Sequence, residues 1–301
     1  MRLRHEDLPF SEIFCNTART CLLSCFHFNG YAAITMVALR KIDHVEMKVS
    51  WTFGTTCTIA SGICEKISED ENLSYSFEVG HVGEAMAYSI LFDGSLIPIT
   101  KPHTPINNLE RERVEKLGGY TTIQRKDKQS NKKDVVECVT VPLKDTVDEE
   151  SLPIFEPGHT RVSRCLGGKK RKLACHPNPF LIAEPEIYKV QSKVNDDKKV
   201  LGIIVCTDGV YSYRGARFGR LGNQSSFKLE ELVRPIVKDM IDRLKDDSNR
   251  GREEKYQISR KASKDISKRV VLASKDEQVK LEKGDNISVA TIICSHLLLG
   301  I

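Results

Sequence analysis

Apolar positions in this chain fall into short blocks separated by polar and glycine-rich breaks. Cys21 to Phe28 is mostly apolar and predicts a buried strand, followed by a glycine turn and a helix over Ala32 to Ile42. Short β-rich runs at 55–63, 75–82 and 86–92 predict three strands. Gly83 lies between two of them and Phe92-Asp93-Gly94-Ser95 follows the third, and each predicts a hairpin turn. Glu110 to Leu117 is charged and periodic and stops at Gly118-Gly119, as a helix does.

The pattern then loosens. Residues 124–150 are polar and charged and predict a loop or insertion that continues over Pro153 to Gly158. Lys169-Lys170-Arg171-Lys172 reads as a solvated basic loop, or as a contact for phosphorylated or acidic partners. Strand signals return at 180–190 and in the strongly apolar Val200 to Cys206. Leu229 to Leu244 is the best amphipathic helix, with apolar residues at 229, 232, 233, 236, 237, 240, 241 and 244. Residues 245–283 are dense in charge and predict part helix and part mobile loop. Ile287 to Cys294 is a last apolar strand. Strands and helices interleave without regular βαβ alternation. That favours an α+β fold: a β-sandwich of two antiparallel sheets flanked by helices.

Composition narrows the class. A chain of 301 residues with 40% hydrophobic and 29% charged side chains can bury a sizeable core as a soluble globular protein. A net charge of +5 gives no footing for nucleic-acid binding, and no apolar run approaches a membrane span. The ten cysteines are scattered and form no CxxC pair, so no zinc site is predicted. They read as reduced, buried thiols, and Met1 to Asp7 has no apolar signal core, so the expected location is cytoplasmic or nuclear.

Several short motifs, taken in order, resemble those of the metal-dependent Ser/Thr phosphatases of the protein phosphatase 2C (PPM) type. Arg2 with Glu6-Asp7 is similar to the family's early Arg and Glu-Asp pair, and Phe28-Asn29-Gly30-Tyr31-Ala32-Ala33 resembles its Phe-Asp-Gly-His-Gly-Gly run. Further on, Gly54-Thr55-Thr56, Val82-Gly83-Glu84 and Pro102-His103-Thr104-Pro105 with Glu110, Arg113 and Gly118-Gly119 keep the family's order. Ser163-Arg164-Cys165-Leu166-Gly167-Gly168, Ala183-Glu184-Pro185-Glu186, Thr207-Asp208-Gly209 and Gly284-Asp285-Asn286 complete the series. The resemblance implies one phosphatase-like domain over residues 1–301, with mobile insertions near 124–158 and 245–283.

It also implies chemistry. In the family, two Mg2+ or Mn2+ ions activate a water that attacks a phosphoserine or phosphothreonine of a protein substrate. By resemblance Arg2 would hold the phosphate and Asp208 would be catalytic through its metal. Glu6, Asn29, Gly30 (through its carbonyl), Asp208 and Asp285 would face the metals, and Glu84 would face a weaker additional ion. Four departures matter: Asn29 stands for a bridging Asp, Tyr31 for a His, and Gly168 and Ser212 each for an Asp. A fifth is the short stretch 43–53, where the family has a long helix. Two readings stay open: a pseudophosphatase that binds a phosphoprotein or protein partner, or a working metal-dependent Ser/Thr phosphatase.

Overall fold

Val200 to Cys206, the most apolar run of the sequence, becomes an inner strand of a four-stranded sheet. The computed structural model of the chain describes residues 54–66, 73–126, 136–139, 153–156, 160–174, 180–193, 199–210, 221–245, 251–280 and 287–294. The strands are β1 (Gly54–Thr55), β2 (Cys57–Lys66), β3 (Leu73–Val82), β4 (Met86–Leu91), β5 (Leu96–Pro98), β6 (Tyr120–Lys126), β7 (Val136–Val139), β8 (Pro153–Glu156), β9 (Leu166–Gly167), β10 (Glu186–Lys193), β11 (Val200–Cys206) and β12 (Val289–Ile293). The helices are α1 (Asn108–Lys116), α2 (Lys169–Ala174), α3 (Leu221–Lys245) and α4 (Arg252–Lys280). The chain divides into two compact units. Described residues within 54–57, 80–84 and 102–187 form the first, and those within 58–79, 85–101 and 188–294 the second.

In the second unit a sheet of order β12-β11-β4-β5, antiparallel throughout, is covered on both faces. One face packs on the sheet β10-β3-β2 through Phe77, Val79, Ala87, Leu91, Val200 and Ile203. The other packs on the two long helices through Tyr88, Ile90, Ile204, Val233, Val237 and Ile266. This is the expected sandwich with helices outside. Alternation along β11 sends Ile203 and Val205 to one core and Ile204 and Cys206 to the other. A register shift between Val200 and Gly202 breaks that alternation, so Leu201 joins the helix-side core while Val200 joins the sheet-side one. The first unit holds the sheet β7-β6-β8, the short pair β1-β9, and a core of Val114, Phe155, Val162, Cys165, Phe180 and Leu181.

Several sequence expectations change. Gly83 does not close a hairpin, because β3 and β4 belong to different sheets. It is a corner at φ +100°, and a β-carbon there would sit 2.1 Å from Thr56 Cγ2. The Phe92–Ser95 turn does join a hairpin, β4 to β5. In the polar region 124–158, β6 runs to Lys126 and pairs with β7 and β8 on its two edges. Lys169 to Lys172 begins a short helix instead of a loop. Only the second half of 180–190 is strand, as β10. Residues 245–283, expected to be partly loop, are helical from Arg252 to Lys280. The buried stripe of that helix is Lys255, Ser259, Ala262, Ile266, Val270 and Ser274. Its three- and four-residue spacing is helical, but small and polar members hide it from a hydrophobicity reading. The predicted strand 21–28, helix 32–42 and short stretch 43–53 lie outside the described residues.

Candidate functional site

Motif residues scattered along the sequence meet in the interior of the first unit around Glu110. Helix α1 begins at Asn107, whose side chain accepts from Leu109 N–H, and Glu110 and Arg113 stand one turn apart on it. Glu110 Oε1 accepts from Arg164 Nε at 3.1 Å and from Arg164 Nη2, and Oε2 accepts from Arg113 Nε and Nη2 at 3.2 and 2.9 Å and from Ser163 Oγ. Arg164 also donates to Glu186 Oε1 at 3.1 Å and to the Glu184 carbonyl at 3.0 Å. Burial alone pushes the Glu110 carboxyl up, but the donors from Arg164, Arg113 and Ser163 outweigh it and hold the group at about 2.

His103 links this network to the Gly83–Glu84 corner. Its backbone N–H donates to Gly83 O at 2.8 Å, and Gly83 N–H donates back to His103 Nδ1 at 2.9 Å. A ring nitrogen that accepts carries no proton, so this bond assigns the imidazole proton to Nε2. Nε2 lies 3.3 Å from Glu186 Oε2, close enough for attraction but not aligned as a hydrogen bond. The ring stacks on His81 at 4.5 Å between centroids. His103, Glu110 and Glu186 thus bring ligand-type atoms within 4.8 Å of one another. Both Glu110 oxygens are already taken by two arginines and a serine, so the cluster is an ion-pair network and not a cation site.

Beyond the corner, Glu84 lines a cavity of about 350 Å³ with Thr55, Thr56, Arg161, Gly168 and Arg171. Three motif segments meet there: Gly54-Thr55-Thr56, Gly83-Glu84 and Gly167-Gly168. Arg161 and Arg171 were not among the sequence candidates. The one signal toward them was the basic cluster at 169–172, which contains Arg171.

Asp208 stands in the second unit, where β11 ends in the helical turn Asp208–Val210. Its Oδ1 accepts from Gly209 N–H at 3.0 Å. The preceding residue fastens the strand end: Thr207 N–H donates to Ser288 O at 3.0 Å and Ser288 N–H donates to Thr207 Oγ1 at 2.9 Å. Ser288 follows Asp285 by three positions. Arg2, Glu6, Asn29, Gly30, Tyr31, Ser212 and Asp285 lie outside the described residues. Cys206 is fully buried and its thiol is pushed up by that burial, so it is a poor nucleophile. Among the described residues no helix is long and apolar enough to cross a membrane.

Comparison with known proteins gives one family. The profile of protein phosphatase 2C matches residues 23–217. A phosphatase from Toxoplasma gondii superposes with a TM-score of 0.55 at 14% identity, over 97% of this chain and 74% of that one. A phosphatase from a pathogenic strain of Toxoplasma gondii superposes with a TM-score of 0.52 at 17% identity, over 95% and 81%. At these identities the likeness is one of fold. No curated protein matches the sequence.

Proposed function

This chain belongs to the protein phosphatase 2C family, and from that premise we propose that it is a phosphatase-fold binding or regulatory module with a weakened metal centre. The observation that carries this is the balance of charge around Glu84. Among its described lining residues the cavity holds one carboxylate against two guanidiniums, with Gly168 at a position where, by resemblance, the family has an Asp.

The family works with Mg2+ or Mn2+, hard cations that want several carboxylate oxygens. Arg161 and Arg171 beside Glu84 oppose the entry of a divalent cation. Asp208 keeps its carboxylate on the turn after β11, with one oxygen engaged by Gly209. The described donors do not fit a pair of cations. By resemblance, Glu6, Asn29, Gly30 and Asp285 are the rest of the donor set, with a neutral amide in the bridging place, and Arg2 is the phosphate contact.

Calorimetric titration of Mn2+ into the full chain, beside Asp208→Ala, tests the reading. The expected result is weak binding and no Mn2+-dependent hydrolysis of a phosphoserine peptide. Tight binding with turnover, both lost in Asp208→Ala, would sink it. That outcome is what the second reading, an active Ser/Thr phosphatase, requires. The second reading draws on Asp208 and on the paired Thr207–Ser288 hydrogen bonds that hold the ends of β11 and β12 together.

A further inference from the structure

Helix α4 carries a row of bases on the side away from its buried stripe. While Ala262, Ile266 and Val270 pack inward, Lys261, Lys264, Lys268 and Lys275 are exposed at spacings of three, four and seven residues. Such spacings keep side chains on one helical face, and the row runs about 21 Å along the axis at ~1.5 Å per residue. Arg260 is exposed beside it. None of these five bases makes an ion pair or hydrogen bond among the described residues. Between Gln257 and Lys275 the helix has a single acid, Asp265, which is half-buried beside Ile266 and off the row. The row is broken once, between Lys268 and Lys275, by half-buried Val271 and by Leu272, which is 50% exposed. The positive charge on this face is thus unanswered along α4 and has an apolar contact set within it.

We propose that this face of α4 docks an acidic amphipathic helix of a partner protein, with its carboxylates along the lysine row and one apolar side chain on Leu272. Width selects a helix over broader anions. The neighbouring helix α3 has mixed charge on its exposed side, where Glu231, Asp239 and Asp242 stand among its bases. A flat bilayer or a nucleic-acid duplex is wider than the ~10 Å of one helix and would set negative charge against those acids. A partner helix laid along α4 meets the lysines alone, and helices pack side by side through rows with this three- and four-residue spacing. Leu272 adds the apolar contact that a phosphate backbone cannot answer. The inference does not rest on the state of the metal centre.

The test is fluorescence polarisation in EDTA with the full chain and a labelled three-heptad helical peptide. The peptide carries glutamates in one row of three- and four-residue spacing, a leucine midway along that row, and alanine and glutamine elsewhere. A second peptide has the same composition with the glutamates scattered round the helix. The row peptide is expected to bind at least about tenfold tighter than the scattered one. Exposed ion pairs are weak singly, so Lys264→Gln alone changes binding little, whereas Lys261→Gln/Lys264→Gln/Lys268→Gln weakens it about tenfold or more. Leu272→Ser weakens it severalfold, the matching triple change to arginine keeps it, and Lys238→Gln on α3 leaves it unchanged. Equal binding of the scattered peptide, or indifference to the triple glutamine change, would overturn the proposal. Tighter binding of phosphatidylserine vesicles or of a DNA duplex than of the row peptide would overturn it too. These side chains are exposed, so the variants are expected to keep the wild-type thermal transition. The charge dependence is also read on the unaltered chain: added salt weakens the row peptide, and binding insensitive to salt counts against the lysine row. Because EDTA removes divalent cations, failure here leaves the Mn2+ titration of Asp208→Ala to decide the metal centre by itself.

Discussion

At Glu110, burial and charge pull in opposite directions. The side chain is almost wholly buried and would favour its neutral form, yet two arginines and a serine keep it ionised down to about pH 2. A carboxyl whose folded value lies below its ordinary 4.5 stabilises the fold fully above the ordinary value. That contribution, on the order of 3 kcal/mol, fades as pH falls from about 4.5 toward about 2. Glu110→Gln removes the charge and leaves buried Arg164 and half-buried Arg113 against a neutral amide, so it is expected to destabilise by about 3–5 kcal/mol at pH 7. Urea unfolding of both proteins between pH 7 and pH 2 checks this, and the gap between them narrows at the acid end. The sequence marked Glu110, Arg113, Ser163 and Arg164 as motif residues without saying what they do. Glu110 and Arg164 are 54 positions apart, and no local pattern reports a contact over that distance.

At the scale of elements, α3 and α4 make an instructive pair. The face of α3 was plain in the sequence because large apolar residues repeat along it, and Leu229, Val233, Val237, Met240, Ile241 and Leu244 are all buried. The face of α4 was not, because serine, alanine and a lysine stand between Ile266 and Val270 and the ends of its stripe. Packing decided it: Ser263 Oγ donates to Thr291 O at 2.6 Å, and Ser267 shares a 2.8 Å hydrogen bond with Thr291 Oγ1, fixing α4 against β12. Ile266→Ala is expected to lower stability by about 2–5 kcal/mol, whereas exposed Lys268→Ala stays within about 0.5 kcal/mol. Thermal or urea melts of the two variants measure the difference. Gly202 gives a second check on β11. A β-carbon there would lie 2.1 Å from Ile292 O in the adjoining strand, so Gly202→Ala forces β12 away and lowers the midpoint of unfolding.

For the whole molecule the question is how much function the family fold carries with Asn29, Gly168 and Ser212 at three of its motif positions. If the metal centre fails for want of negative charge, one restored carboxylate is not enough. Asn29→Asp alone is expected to leave Mn2+ affinity and hydrolysis near the wild-type level, while Asn29→Asp with Ser212→Asp raises Mn2+ affinity measurably by calorimetry. A large gain from Asn29→Asp alone would place the whole defect at that residue.

The sequence by itself determined the strands near 55–63, 75–82, 86–92, 200–206 and 287–294, the sandwich class, the α3 face and the family likeness. These rest on periodicity and turn chemistry, which act between residues a few positions apart and can be read from the chain directly. Only the tertiary structure decided that β3 and β4 part into two sheets at Gly83, and that a register shift turns Leu201 toward the helices. It alone joined His103, Glu110, Arg113, Ser163, Arg164 and Glu186 into one network, and set Arg161 and Arg171 beside Glu84. Those outcomes depend on the desolvation and pairing of charges brought together from distant segments, and the free energy of such contacts exists only once the chain has packed.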